Sequence, residues 1–115
     1  MERLRRPGAT YQDILDAPEG YVAELIAGEL HLQPRLAKPH TFSASALEVE
    51  LGAKFQRGLG GPGGWWILYE PELHVGDDVL VPDLAGWRRS ATPAFDPSVA
   101  HYAELPDWVC EVLSP

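Results

Sequence analysis

Apolar and polar positions follow two rhythms along this chain, and their alternation sets out the elements. Residues 10–17 read as a short helix, with Thr10 as N-cap and acidic Asp13 at the third helical position; Pro18-Glu19-Gly20 stops it. Residues 21–26 and 29–33 then read as two strands joined through Ala27-Gly28, a hairpin in which Val22, Glu24 and Ile26 share a face. Residues 34–39 connect this hairpin to a helical pattern over 40–55. There Phe42, Ala46, Val49 and Ala53 line one side, and Leu47, Leu51 and Phe55 another. A helix apolar on two sides is usually covered on two sides. We therefore expect it between the sheet and a further element, either a segment outside this chain or a second subunit.

The Gly-rich stretch 58–64 has no Lys-Ser/Thr after it and leads into a strand pattern, so it reads as a flexible turn and not as a phosphate-binding loop. Residues 65–75 form a strand pattern interrupted by Pro71; an evenly extended chain would put Glu70, Glu72 and His74 on one face, read as a solvated strand face from which Glu70 or His74 could reach a site. Gly76-Asp77-Asp78 turns the chain into the apolar run 79–87. A Pro-, Ala- and Asp-containing loop over 88–107, with a helical turn expected near 97–102, precedes the last apolar run, 108–113. There is no internal repeat and no linker, so residues 1–115 are expected to form one domain.

Each of the two late apolar runs contains one carboxylate: Asp83 in 79–87 and Glu111 in 108–113. Continuous apolar runs read as strands covered on both faces, where an acid is costly unless it is paired, hydrogen-bonded or bound to a cation. A hard divalent metal shared by Asp83 and Glu111 is the simplest partner for both. The competing readings are structural: Asp83 capping a backbone amide beside Pro82, and Glu111 paired with an arginine such as Arg88. Glu24 is a third acid among apolar neighbours, equally well read as a solvated residue of a hairpin edge. His40 reads as a cap or surface residue, Cys110 as a core thiol, and Trp65-Trp66 as core rather than a base-stacking platform.

Composition narrows the picture. Hydrophobic residues make up 45% of the 115, which is a globular and not a disordered composition. No apolar run approaches a membrane span, and the basic start of the chain (Arg3, Arg5, Arg6) is not followed by the apolar stretch of a secretory signal. A single cysteine permits no internal disulfide and no cysteine-based zinc cluster, so a cytoplasmic location is the expectation. The formal net charge of −8 argues against a protein that coats nucleic acid nonspecifically, but leaves room for a nuclease whose acids gather cations.

Glu24-Leu25-Ile26-Ala27-Gly28-Glu29-Leu30, the helix opened by His40, Val81-Pro82-Asp83-Leu84 and Val109-Cys110-Glu111-Val112-Leu113-Ser114-Pro115 follow one another with spacings that resemble the Uma-type family of restriction endonucleases, in the PD-(D/E)XK nuclease superfamily. The resemblance implies a restriction-endonuclease-like α/β core, with a mixed central β-sheet flanked by helices. It also implies a site using Mg²⁺ or Mn²⁺ to hydrolyse DNA. Asp83 matches the motif's Asp, Glu111 its D/E position, and Glu24 the hairpin acid. The motif's Lys would fall at Leu113, so it is expected further downstream, and the chain is expected to be the front part of a longer domain. Nucleases of this superfamily often dimerise, which makes a homodimer an expectation. A decayed nuclease fold serving as a non-catalytic binding or assembly module is the alternative; a metal hydrolase of another substrate is a third.

Overall fold

The computed structural model describes residues 4–35 and 38–113, with side chains over 7–35 and 41–113. In chain order the elements are β1 (Leu4–Pro7), α1 (Tyr11–Leu15), β2 (Tyr21–Ile26), β3 (Glu29–Pro34), α2 (Lys38–Leu51) with a π-helical turn (Gly52–Gln56), β4 (Trp65–Tyr69), β5 (Leu73–Val75), β6 (Asp78–Leu80), β7 (Leu84–Arg88) and β8 (Trp108–Cys110). They build two sheets, ordered β1-β3-β2-β6-β5 and β4-β7-β8. The expected side chains of Arg3, Arg5, Arg6 and His40 lie outside the described ones.

Local chemistry accounts for the first elements. Thr10 N–H donates to the Asp13 carboxylate at 2.8 Å, which closes the start of α1. The β2–β3 turn has two residues, Ala27 (φ 51°) and Gly28 (φ 77°), both left-handed as a tight hairpin of this twist requires. Asp78 secures that turn by accepting the Ala27 N–H at 3.0 Å. Ile26 is thereby paired with Glu29 and Glu24 with His31.

The chain from 65 to 88 is one long hairpin bent in the middle. Its inner half pairs Leu73 with Leu80 and Val75 with Asp78; its outer half pairs Trp65 with Arg88 and Tyr69 with Leu84, in the same register. Between the halves stand Pro71 on one strand and Pro82 on the other, neither able to donate to a ladder. Glu70 takes φ 45° at this point, and its N–H still reaches the Asp83 carbonyl at 2.9 Å. The bend sends the inner half into the first sheet and the outer half into the second. The expected unbroken strand over 79–87 is thus two strands, and the expected mixed sheet is two sheets whose ladders are all antiparallel. The β2–β3, β4–β7 and β5–β6 ladders are arms of hairpins and so antiparallel by connection, whereas parallel neighbours need crossovers. The parallel pairing present is a single bridge, Leu73 to Tyr102.

The core lies where the outer hairpin meets the loop after β7. Leu84, Ala85 and Trp87 are wholly buried, as the apolar run demanded, and Leu73 is nearly so. Trp87 packs against Phe95 and Tyr102, and its Nε1–H donates to the Glu104 carbonyl at 3.0 Å. Trp66 joins this cluster, so the tryptophan pair is packed and Trp65 carries the Arg88 guanidinium on its ring. The helical turn expected over 97–102 is replaced by a turn that Asp96 closes by accepting Ser98 N–H and O–H.

The expected cover is lacking over 108–113, and one apolar side of α2 is uncovered within this chain. In β8 and the residues after it, Trp108, Val109 and Leu113 are exposed, so this run is not covered on both faces. On α2, the side carrying Phe42 and Val49 faces solvent, while Leu51 and Phe55 meet Trp65, Ile67 and Trp108 in an apolar groove. The radius of gyration, 15.0 Å, exceeds the ~13 Å of a compact chain of this length, in keeping with these open apolar surfaces. The Gly-rich stretch is strapped down rather than loose: Leu59 and Gly63 N–H groups donate to the Ala53 and Lys54 carbonyls. Gly61 has no room for a side chain, since a Cβ there would sit 2.6 Å from that of Lys54.

Candidate acidic cleft

The bend in the long hairpin creates the site. Asp83 sits at the crossing between sheets, immediately before β7. The β7–β8 ladder pairs Leu84 with Cys110, so its next step sets Asp83 opposite Glu111. Asp83 Oδ2 accepts the Val112 N–H at 2.6 Å, which holds the end of β8 against the bend. The amide-capping role is therefore present, and it leaves the second carboxylate oxygen as a further acceptor.

Glu24 reaches the same place from the first sheet. It is not on an edge: β2 lies between β3 and β6. Its Oε2 accepts the Val81 N–H at 2.8 Å, two residues before Asp83. Glu24, Asp83 and Glu111 all line one cleft of about 390 Å³, together with Gln33, Arg35 and Glu70. The negative charges of Asp83 and Glu111, added to burial as the larger cause, push the Cys110 thiol above its usual range. A shift in that direction disfavours the thiolate, the reactive form of a cysteine.

Arg35 was not assigned to the site by pattern alone, whereas Glu70, one of the two strand-face residues expected to be able to reach it, lines the cleft. Arg35 follows β3, and its guanidinium is ion-paired with Glu70. Glu70 belongs here because its carboxylate meets Arg35, whereas Glu72 and His74, past the kink at Pro71, meet Tyr11. A larger open groove of about 750 Å³, lined by Thr41, Ser45 and Glu48 of α2 and by Tyr69, shares Arg35, Glu70 and Asp83 with the acidic cleft. The cleft thus opens onto a channel walled on one side by a helix. A sequence signal for Arg35 existed only in its position after the hairpin; nothing in its neighbours marks it.

Glu72 and His74 turn instead toward α1. Tyr11 O–H donates to Glu72 Oε2 at 2.7 Å, and this bond, with burial and the carboxylate's charge, pushes the Tyr11 hydroxyl up to about 12. Among the described residues, no helix is long and apolar enough to cross a membrane.

No family model matches this sequence, and none of the curated proteins does. A similar fold occurs in a crystal structure from Anabaena variabilis ATCC 29413, described as a "putative nuclease belonging to DUF820". The two superpose with a TM-score of 0.71 at 22% sequence identity, over 93% of this chain and 59% of that one. This chain therefore spans less than two thirds of the other protein's length, and the likeness establishes that it has the fold of that protein's corresponding part.

Proposed function

We propose that this chain carries the acidic site of a Mg²⁺- or Mn²⁺-dependent DNA endonuclease of the Uma-type, PD-(D/E)XK class. The observation that carries the reading is the meeting of Glu24, Asp83 and Glu111, from widely separated parts of the chain, in one cleft. The nuclease-like fold supports it independently. The cleft's donors are carboxylate and amide oxygens, with neither His nor Cys among the lining residues, which suits a hard cation.

Asp83 and Glu111 would hold the ion, and Glu24 would assist from the first sheet. When bound, such an ion acidifies water and polarises a phosphate oxygen. The protein's own contributions are positional. The backbone amides of Val81 and Val112 fix Glu24 and Asp83, and the groove beside α2 offers a path for a strand of nucleic acid. Arg35 is the cation lining the cleft among the described residues, and it would meet the charge of a bound phosphate. It gives the site a positive group at a place where Leu113 replaces the motif's Lys. A homodimer that presents two clefts to two strands, in a cytoplasmic setting, belongs to the same proposal.

The test is plasmid nicking by this chain and by a version extended past Pro115, each shown to be folded. Activity should require Mg²⁺ or Mn²⁺ and vanish in EDTA. Asp83→Ala and Glu111→Ala should each lower the rate by about 100-fold or more, as the loss of several kcal/mol of transition-state stabilisation implies. Glu24→Ala should cost less. Folded protein that stays inactive on single- and double-stranded DNA would favour the binding-module reading.

A further inference from the structure

We infer a second, separate metal site for a borderline divalent cation such as Zn²⁺, formed by Glu72, His74 and His101. One ligand atom from each of the three lies within 4.8 Å of the others. The backbone explains why they meet. Leu73 and Tyr102 form a parallel bridge, held by His74 N–H to the Tyr102 carbonyl at 2.9 Å and Tyr102 N–H to the Glu72 carbonyl at 2.8 Å. Leu73 and Tyr102 both belong to the Trp87 cluster. Their neighbours in sequence must then point the other way. Glu72 and His74 flank Leu73, and His101 precedes Tyr102, so packing of the core drives these three side chains together on the opposite face.

The donor set is two imidazoles and a carboxylate, from two backbone segments that are hydrogen-bonded to each other. Such a set suits zinc and related ions and leaves a coordination position open to water. The site is partly open: the His74 and Glu72 side chains are about a quarter exposed, 23% and 24%. Glu72 is oriented from behind by Tyr11, whose O–H bonds to Oε2, and His74 Nε2 stands 2.9 Å from the same oxygen. A fixed outer partner of this kind is what tunes and orients metal ligands. Tyr11 also meets the His74 ring edge-on, with centroids 5.1 Å apart.

The two imidazoles lie stacked, centroids 3.8 Å apart and planes 16° from parallel. A metal binds in the plane of an imidazole, so capture requires one ring to turn about its χ2. His101 sits in the loop after β7 and is the ring placed to do so. This site differs in kind from the acidic cleft: its donors include nitrogen, and it stands on the other side of the Pro71 kink. It does not depend on the nuclease proposal.

The experiment uses Zn²⁺ itself. In wild-type protein, stoichiometric Zn²⁺ should shift the imidazole ¹⁵N resonances of His74 and His101 and lock their tautomers, leaving those of buried His31 in place. In competition with a chelating dye, His101→Ala and Glu72→Gln should each weaken Zn²⁺ binding by about tenfold or more, because outer partners of metal ligands alone are worth ~10–100-fold. Asp83→Asn should leave this binding unchanged. Unmoved His74 and His101 resonances would overturn the inference. So would an affinity that falls with Asp83→Asn and not with His101→Ala, which would put the ion in the acidic cleft. If a variant fails to fold, the wild-type spectra decide the matter alone.

Discussion

Asp83 is assigned two jobs, and replacing it with asparagine separates them. Its carboxylate accepts the Val112 N–H at 2.6 Å, and in the proposed function it also holds a divalent cation. Asparagine keeps a carbonyl oxygen for the amide but removes the charge. A hydrogen bond to a charged group contributes about 1.5–3 kcal/mol and a neutral one about 1, so the metal-free variant should lose about 1 kcal/mol. For a chain of 115 residues, an unfolding entropy of ~2.1 cal/mol/K per residue makes this a fall of about 4 °C in Tm. The metal response should change far more. A ligand at a hundred times its Kd stabilises by about 2.7 kcal/mol, which is ~11 °C here. If Asp83→Asn weakens the ion a hundredfold, the same concentration leaves about 0.4 kcal/mol and a rise below ~2 °C. The assay is a pair of thermal melts, with Mn²⁺ or Mg²⁺ and with EDTA, for wild type and variant, the ion's Kd having been set by calorimetry on wild type. A full metal-induced rise in Asp83→Asn would refute the assignment of Asp83 as a ligand. A metal-free loss of several kcal/mol with no metal response in wild type would leave Asp83 as a structural cap alone.

Tyr11 gives a pH signature. Its folded pKa, about 12, lies above the ordinary 10, so the protonated form is favoured by the fold. The stability it contributes is complete below pH 10 and is lost as pH rises toward about 12. A spectrophotometric titration should show one tyrosine ionising late, absent in Tyr11→Phe; its persistence in that variant would refute the assignment. Trp87→Ala should destabilise by about 3–5 kcal/mol, because it empties a wholly buried site and removes the ring that packs on Phe95 and Tyr102. Denaturant unfolding measures this, and a loss below ~1 kcal/mol would mean that the 89–107 loop is not anchored there.

Much of the local architecture was legible in residue order. Thr10 and Asp13 marked a helix start, Ala27-Gly28 a two-residue turn and Pro71 an interruption, while Pro82 was read inside one continuous apolar run. What could not be read was that the two prolines stand at the same level of one hairpin. That coincidence depends on register, which the Gly76-Asp77 turn sets and which no local window contains. The failed expectation for 108–113 has a similar cause. An apolar run shows that side chains prefer cover, while the number of neighbours that arrive to provide it is a property of the whole fold. The same limit hid Arg35, a lone arginine among unremarkable neighbours that ends in the cleft because β3 runs beside β2.

The sequence alone determined α1, the β2–β3 hairpin, α2 and the three acids worth attention, because propensity, capping and the cost of burying a carboxylate act over a few residues. Tertiary structure decided what those acids are near. The bend at Pro71 and Pro82 carried Asp83 from one sheet to the other, the β7–β8 register brought Glu111 opposite it, and the central place of β2 put Glu24 beside Val81. It likewise split Glu70 from Glu72 and His74, and joined the latter pair to His101 through a single parallel bridge. Such meetings arise from pairings between distant strands, whose closure entropy and registry are settled only when the whole core packs.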